Sequence, residues 1–266
     1  MKKIVLLLFV FALFPSCEDV VDIDLNTSEP RLVIEASVNL LEDGTSNSTI
    51  TLTLTAPFFD NQIPTVEDAS VVITGDNGLV YTFNHTNNGI YESSLVPQPG
   101  INYTLEVVYN GDTYSATEQL VSVSSLEFVE QNNDGGFSGE DIELKVFFTD
   151  PEGRGNHYFF EGISERGIEL DTLVDEFFDG NQIFGFYSVD DLVAGDVVQF
   201  NLYGVNQQFY NFMFVLLQQG SDQGGGPFET QPATVRGNII NETNSDNFPL
   251  GYFRVSEVST LTYTVQ

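Results

Sequence analysis

Cys17 is the residue whose position in the sequence predicts a definite chemical modification. It is the only cysteine, and it follows two lysines and an apolar run that ends at Phe14. A positive segment and a short apolar segment before a cysteine are typical of a bacterial lipoprotein signal. We therefore predict that residues 1–16 are removed and that the Cys17 thiol becomes a lipid thioether. A secretory peptide cut by the ordinary peptidase is the alternative. The run is too short to span a membrane, which needs about 20 apolar residues.

One acidic segment is patterned like a calcium loop. Glu130, Asn132 and Asp134 place oxygen ligands at alternate positions, Gly135 permits a sharp turn, and Asp141 supplies a late carboxylate. Calcium loops use this arrangement. The pattern departs from such loops because glutamate stands at its start, aspartate stands at its end, and no helices flank it. The alternative is a solvated linker between domains. Calcium is the only cofactor that the sequence suggests.

Further carboxylates gather in two places in the second half of the chain. The first is Asp150–Gly153, and the second is a group that comprises Asp171, Asp175, Glu176 and Asp179. Either group could collect cations. In a chain this acidic, solvated surface carboxylates are the simpler explanation.

His85 and His157 are the only imidazoles available for acid–base catalysis. His85 lies at the turn end of a predicted strand, and His157 begins a strand after a glycine-rich turn, so ordinary edge positions account for both. The sequence contains no Gly-x-Ser-x-Gly elbow, no His-Glu-x-x-His zinc motif and no phosphate loop. We therefore predict that the protein is not an enzyme.

The composition restricts the partners of the chain. With 39 acidic and 8 basic residues, its formal net charge is −31. Phosphate binding requires clustered lysine and arginine, so nucleic acid is excluded as a partner. Anionic lipid headgroups would repel the chain too, which leaves membrane attachment to the lipid on Cys17, where several acyl chains anchor stably. Once Cys17 is lipidated, no thiol remains for a disulfide.

Short alternating runs predict a mainly all-β protein. Residues 17–29 form an acidic tether. Residues 30–122 then alternate apolar and hydroxyl residues with period two, most clearly over Thr49–Leu54. Asn-Gly pairs at 77–78 and 110–111 lie between β-rich runs and predict hairpins. We predict an immunoglobulin- or transthyretin-like β-sandwich for 30–122.

The second half is predicted to be a separate domain. Residues 123–140 are rich in Ser, Asn and Gly and are assigned to a linker, and 141–266 form a β-rich domain, either a sandwich or barrel-like. One helix interrupts it near 207–219, because apolar residues recur there at helical spacing. Asn206 is its N-cap, and Gly220 lies past its end.

Several phrases of the sequence together resemble a known family. They are Cys17–Leu25, Glu29–Glu35, Phe147–Gly153, Val235–Ile239 and Leu250–Phe253. In this order they are similar to the domain-of-unknown-function family four-two-four-nine, outer-membrane lipoproteins of the Bacteroidetes type. The resemblance covers nearly the whole chain after Cys17. It implies a neighbouring TonB-dependent receptor as partner and display at the cell surface, and it supplies no catalytic residues.

These observations lead to a functional prediction. We expect a non-enzymatic, surface-exposed outer-membrane lipoprotein that helps a TonB-dependent transporter to capture or admit a nutrient. The alternative is a structural or adhesive module whose immunoglobulin-like domain binds another protein or a glycan. A calcium-stabilised hydrolase is a third class, against which the missing base and nucleophile motifs weigh. The binding residues and the ligand are unknown, but we expect a groove near the helix and the Gly220–Asn247 loops.

Overall fold

The structure is a computed structural model that describes residues 29–57, 62–136, 139, 141–220 and 234–266. Within these residues the chain forms fifteen strands, one α-helix and one short 3₁₀ helix, Asp175–Phe177. This confirms the prediction of a mainly all-β fold with a single helix. The elements are β1 (Leu32–Leu41), β2 (Ser46–Leu54), β3 (Ser70–Gly75), β4 (Val80–Asn87), β5 (Ile90–Glu92), β6 (Asn102–Tyr109), β7 (Asp112–Gln119), β8 (Leu126–Gly135), β9 (Asp141–Thr149), β10 (His157–Ile163), β11 (Ile168–Val174), β12 (Gln182–Tyr187), β13 (Val197–Val205), α1 (Gln207–Gly220), β14 (Ile240–Asn241) and β15 (Leu250–Thr264).

The first half of the chain forms a two-layered β-sandwich. Strands β15, β1, β2 and β5 make one layer, strands β3, β6, β7 and β14 make the other, and β4 pairs with a strand of each. Alternate residues of each strand point into the space between the layers, as the two-residue period requires. The core that they enclose includes Ile34, Ile50, Ile73, Tyr91 and Leu105.

Both predicted Asn-Gly hairpins are confirmed. β3 and β4 flank the first and pair from Thr74 with Val80, and β6 and β7 flank the second. At the second turn Asn110 has φ 50° and Gly111 has φ 85°. Two successive positive φ values match the twist of the flanking strands, and asparagine and glycine tolerate them at least cost.

A second core lies between two further layers. Strands β11, β10, β13 and β15 face the three-stranded sheet β12-β9-β8. The enclosed side chains are mostly large, among them Phe148, Phe160, Tyr187, Phe200 and Leu202. Because two separate layers enclose this core, the second half is a sandwich, which decides between the two alternatives that the sequence left open.

The long strand β15 belongs to both sandwiches. Residues 250–258 run parallel to β1, and residues 258–264 pair antiparallel with β13. Gly251, at the start of this strand, has φ 92°, and a Cβ there would lie 2.1 Å from the carbonyl oxygen of Ile34. Only glycine permits this close approach. The two cores are therefore joined by a continuous strand.

The structure differs from the sequence prediction over the linker. Residues 126–135 of the predicted linker, 123–140, form β8 and pair with β9. Their polar side chains are mostly exposed, so the segment lacks an apolar alternation, and its strand is held by backbone hydrogen bonds to β9. The domain boundaries themselves stay a prediction.

Candidate functional site

The helix α1 is fixed at its start by a polar network. The Phe209 N–H donates to Asn206 Oδ1 at 2.8 Å, which confirms the predicted N-cap. Asn206 Nδ2 donates to Glu118 Oε2 at 2.8 Å, and Asn238 Nδ2 donates to Glu118 Oε1 at 2.6 Å. Glu118 lies on β7, so a carboxylate of the first sandwich holds the helix cap and the segment before β14. The helix ends at Gly220, one residue beyond the predicted end.

Burial raises the pKa of Glu118, and the hydrogen bonds from Asn238 and Asn206 act in the opposite direction. The loss of hydration thus raises the pKa by more than the two hydrogen bonds lower it. Because its pKa is raised, protonation of Glu118 favours the folded chain.

A cavity of about 840 Å³ opens between α1 and the outer face of β1, β2 and β15. Val33, Glu35 and Ser37 of β1 point out of the first sandwich towards it, because their neighbours Ile34 and Ala36 point into the core. The helix supplies Phe212, Met213 and Leu216, and the other side is formed by Val235 and Leu250. A cavity of this size is in the range of small-ligand sites.

Arg254 lines this cavity from β15, where it pairs with Ser37. Its guanidinium carbon lies 4.2 Å from the ring centre of Tyr203 and 5.5 Å from that of Phe209. The side chain as a whole is half-buried, but Nη1 is fully buried and has no hydrogen-bond partner. Burial lowers the pKa of Arg254, while Tyr203 and Glu161 act in the opposite direction.

Glu161 is the carboxylate whose charge opposes the lowering of the Arg254 pKa by burial, and its described hydrogen bonds are accepted by one of its oxygens. Glu161 Oε2 accepts hydrogen bonds from Asn201 Nδ2 at 2.8 Å and from the Tyr203 hydroxyl at 3.0 Å. Within the described residues the ion pairs closer than 4 Å are those of Arg154 with Asp179 and of Arg166 with Asp196, so Arg254 has no ion-pair partner there. Among the described residues, Arg254 is thus a cation that packs on two aromatic rings, is attracted by Tyr203 and Glu161, and has no carboxylate within 4 Å.

Two further arginines lie close to the same end of β15. Arg31 and Arg236 place their guanidinium carbons 3.9 and 3.5 Å from the ring centre of Phe248. They must occupy opposite faces of that ring, because two cations cannot share one face at such distances. Phe248 stands two residues before the cavity residue Leu250, so three of the few basic residues of the chain lie in this region.

The predicted calcium ligands lie on the β8–β9 hairpin. Glu130, Asn132 and Asp134 are in β8, and Asp141 begins β9 opposite Gly135. Their turn is closed by another acid: the Gly136 N–H donates to Glu143 Oε1 at 2.8 Å, and Asn132 Nδ2 donates to Glu143 Oε2 at 3.5 Å. Calcium binding at the four residues stays a prediction.

Within the described ranges, the carboxylate group that could hold a metal ion is a different one. Oxygens of Asp150, Asp175 and Asp179 lie within 4.8 Å of one another, and the first two side chains are buried. The structure thus brings together members of the two acidic groups that the sequence analysis considered separately. Asp171 and Glu176 lie outside this cluster.

Backbone and side-chain donors already bind each of the three aspartates. Asp150 accepts from the Tyr158 hydroxyl and, at 3.1 Å, from the Gly180 N–H. Asp175 Oδ2 accepts from the N–H groups of Gly155 and Asn156 at 2.7 and 2.9 Å. Asp179 Oδ1 accepts from the Gly153 N–H at 2.7 Å. The cluster therefore fixes the turn between β9 and β10.

The two histidines occupy separate strands. Gly89 N–H donates to His85 Nε2 at 3.4 Å, and the His85 ring packs at 5.3 Å from Tyr91. His157 Nδ1 is 2.8 Å from the carbonyl oxygen of Gly155, and its ring packs at 5.1 Å from Tyr210. Their described polar contacts are with backbone atoms, which agrees with the edge positions expected from the sequence.

The outer face of the sheet β12-β9-β8 carries a row of aromatic rings. Phe128 and Phe147 stack at 4.8 Å, Phe147 and Phe184 contact at 5.4 Å, and Lys145 Nζ lies 5.1 Å from the Phe184 ring centre. Phe128, Phe184 and Phe186 are each about two-fifths exposed. This aromatic row is an exposed apolar surface distinct from the cavity.

Sequence reasoning located the groove but missed its charged residue. The cavity lies beside the helix and includes Thr234 and Val235 from the Gly220–Asn247 region, where a groove was expected. Arg254 was missed because it stands in an ordinary strand, Gly251–Val255. The available signal was a lone basic residue within an apolar strand of a very acidic chain. Cys17, the predicted lipidation site, lies outside the described residues. Among those residues, no helix is long and apolar enough to cross a membrane.

Comparison with known proteins gives one family and distant structural likenesses. The family described as "Domain of unknown function (DUF4249)" matches residues 18–262. No curated protein matches the chain.

Three solved structures that resemble the chain are distant from it. A two-domain fibronectin type III segment of chicken tenascin is 15% identical, with 67% of this chain and 92% of that chain covered, at a TM-score of 0.22. A cytokine receptor complex is 10% identical, with 67% and 86% covered, at 0.25. A DUF4785 family protein from Legionella pneumophila is 14% identical, with 68% and 54% covered, at 0.24. At these TM-scores the likenesses carry no argument.

Proposed function

Since the chain belongs to the family of domain of unknown function DUF4249, we propose that it is a non-enzymatic, lipid-anchored protein of the outer-membrane surface. It captures a small ligand and delivers it to a TonB-dependent transporter. The anchor follows from the sequence around Cys17, and the transporter from the family resemblance. The ligand-binding part rests on the cavity beside α1.

The cavity is the observation that supports capture of a ligand. It has a volume of about 840 Å³, and its lining combines apolar side chains with Glu35 and Arg254 as charged groups. Small-ligand sites are typically concave and mostly apolar, with a few polar groups that orient the ligand. The rigid strands β1 and β15 form its floor, which favours binding of a defined shape.

A non-catalytic role is supported by the surroundings of the reactive groups. In the described part of the chain the hydrogen-bonding contacts of His85 and His157 are with backbone atoms, and neither histidine lines the cavity. A general base requires a hydrogen bond to the group that it activates, directly or through one water. Binding and release therefore account for the cavity without a chemical step.

The proposal is tested by isolating the protein with its partner. The full chain with a C-terminal tag is purified from its native membranes in mild detergent, and co-purifying proteins are identified by mass spectrometry. We expect a TonB-dependent barrel in stoichiometric amount. A matched Cys17→Ser chain, which cannot be lipidated, is the control and should lose the membrane fraction. Recovery of the lipoprotein alone, under conditions in which other lipoprotein–barrel complexes survive, would contradict the transporter role.

The aromatic row on β8, β9 and β12 favours a second candidate, an adhesive surface module. Exposed phenylalanine rings next to Lys145 present a flat surface on which a protein or glycan could pack. This surface lies on the second sandwich, whereas the sequence analysis placed adhesion in the first. Substituting Phe128→Ser and Phe184→Ser should then abolish attachment to the target surface while leaving isolation of a barrel unchanged.

A further inference from the structure

We propose that the cavity binds an amphipathic monoanion, whose apolar body lies along α1 and whose single acid group pairs with Arg254. The inference rests on the proposed capture of a ligand and names its chemical class. It is independent of which membrane protein receives the ligand.

The first step concerns the unsatisfied charge of Arg254. Arginine stays protonated in proteins and presents several N–H donors. Here Nη1 is buried without a hydrogen-bond partner, and the described part of the chain provides no carboxylate within 4 Å of the guanidinium. Tyr203 and Glu161 compensate this charge in part, while burial reduces its hydration. The side chain is half-buried and lines the cavity, so we expect a bound acid group to pair with the part of Arg254 that stays accessible from there.

The second step is that the neighbouring acids do not fill this role. Glu161 is engaged by Asn201 and Tyr203. Glu35 lies on the same outer face of β1 as Ser37, two residues before it. Its partner on β15 is Tyr252, whereas the partner of Ser37 is Arg254. Residues two apart on a strand are separated by about 7 Å. Glu35 therefore leaves room for an anion beside Arg254, and it would repel a second negative charge farther along the cavity.

The third step concerns the body of the ligand. The helix Gln207–Gly220 contains no charged residue, and its Phe212, Met213 and Leu216 face the cavity with Val235 and Leu250. Leu216 is 43% exposed, so a ligand that covers it gains apolar burial. A small hydrophilic anion would leave this lining uncovered. An acyl chain or an aromatic ring that carries one carboxylate fits both the apolar lining and Arg254.

The net charge of −31 does not oppose this assignment at physiological salt. Exposed charges are screened beyond a Debye length of about 8 Å at 0.15 M ionic strength, whereas a buried pair is screened much less. The distant acidic surface therefore slows the approach of an anion slightly, and Arg254 dominates once the ligand is bound.

The test compares an acid with its neutral amide. The full chain carrying Cys17→Ser, so that no attached lipid competes, is titrated calorimetrically with octanoate, octanamide and octanedioate. We expect octanoate to bind at least about tenfold more tightly than octanamide, which is the effect of one charge-assisted hydrogen bond. Octanedioate should bind more weakly than octanoate, because its second carboxylate approaches Glu35.

Substitutions then assign the selectivity to Arg254. Arg254→Met should make the affinities for octanoate and octanamide equal, whereas Arg166→Met, which removes an exposed arginine paired with Asp196, should leave the ratio unchanged. Leu216→Glu provides a variant at an exposed position that keeps Arg254. It should weaken octanoate at least about threefold relative to octanamide, with Leu216→Gln as the neutral match.

Three results would overturn the proposal: equal affinity of the wild type for octanoate and octanamide, selectivity that survives Arg254→Met, or no measurable binding of octanoate. These outcomes are separate from the isolation of a barrel partner. If the chain binds octanoate through Arg254 but no barrel co-purifies with it, the ligand assignment stands and the transporter role fails. If a barrel co-purifies but octanoate does not bind through Arg254, the transporter role stands and the ligand assignment fails.

Discussion

Asp150 and Arg254 are charged groups in two regions of one fold, and they differ in how their hydrogen-bonding capacity is used. Asp150 is 1% exposed and accepts hydrogen bonds from Tyr158 and Gly180. Arg254 stacks on two rings, and its buried Nη1 donates to no partner. The first charge has its partners within the protein, in β10 and in the segment before β12, whereas the second faces a cavity.

This difference distinguishes a structural charge from a binding charge. Removing a buried group whose partners are all within the protein leaves those partners unsatisfied, so stability falls. Removing a buried group that has no protein partner relieves an existing cost. The aspartate cluster therefore stabilises the fold, although its acidic residues could be interpreted from the sequence as a cation site. We propose that Arg254 serves binding, although nothing in the sequence around it resembles a motif.

The largest expected effect is that of Asp150→Ala. The substitution leaves the buried Tyr158 hydroxyl and the Gly180 N–H without acceptors, so we expect the free energy of unfolding to fall by about 3 kcal/mol. Urea unfolding followed by circular dichroism measures this change. Asp179→Ala, at the exposed edge of the same cluster, should cost about 1 kcal/mol. Equal losses for the two variants would mean that burial does not set the role of the cluster.

Glu118→Ala should have an intermediate effect that depends on pH. At neutral pH the loss of two hydrogen bonds to Asn206 and Asn238 should lower the free energy of unfolding by about 2 kcal/mol. The pKa of Glu118 is raised by burial, so its protonation stabilises the folded chain relative to the unfolded one. The wild type should therefore gain stability relative to the variant as pH falls from neutral towards 4.5.

Parallel urea titrations of both proteins across this pH range measure the gain. A difference that shrinks as pH falls would show that the hydrogen bonds to Glu118, rather than its burial, dominate its titration.

Arg254→Met should leave stability within about 1 kcal/mol of the wild type. The substitution removes a half-buried charge that has no carboxylate within 4 Å among the described residues, and it keeps the apolar stem. It loses the contacts with the rings of Tyr203 and Phe209. Thermal or urea unfolding measures the result. A loss as large as that of Asp150→Ala would mean that Arg254 is structural, and the comparison between the two regions would fail.

The smallest expected effect is that of calcium. Donors already bind Asp150, Asp175 and Asp179, and Glu143 binds the Asn132 amide and the N–H of Gly136 in the β8–β9 turn. Adding millimolar calcium or a chelator should therefore move the melting temperature by less than about 1 °C. A larger rise with calcium would show that one of these acidic groups takes a cation. Asp134→Asn and Asp179→Asn variants would then identify which group.

Local features of the fold could be predicted from the sequence. Alternation over Thr49–Leu54 predicted β2, Asn110-Gly111 predicted a hairpin, and Asn206 predicted the cap of α1. Each depends on neighbours within a few residues, where backbone sterics and side-chain period decide the conformation. The polar stretch Gln131–Asn133 was assigned to a linker because its pairing with β9 has no apolar signature.

The candidate site was predictable only in part. Helical spacing around Phe209 and the irregular segment after Gly220 indicated where a groove would lie. The calcium pattern at Glu130–Asp141 predicted a site in a different region, the β8–β9 hairpin. The four predicted calcium ligands lie on this hairpin, and calcium binding there stays a prediction. No local pattern indicated that Arg254 would be without an acid.

The sequence by itself determined the β-rich character, the hairpins, the helix α1 and the family to which the chain belongs. The tertiary structure decided which segments of the chain pack against each other. β15 pairs in parallel with β1, which is more than 200 residues earlier, and this pairing brings Arg254 beside Ser37 and beneath the helix. The physical reason is that strand pairing and burial depend on contacts between distant segments, and the period of a sequence carries only the orientation of each side chain relative to its own strand.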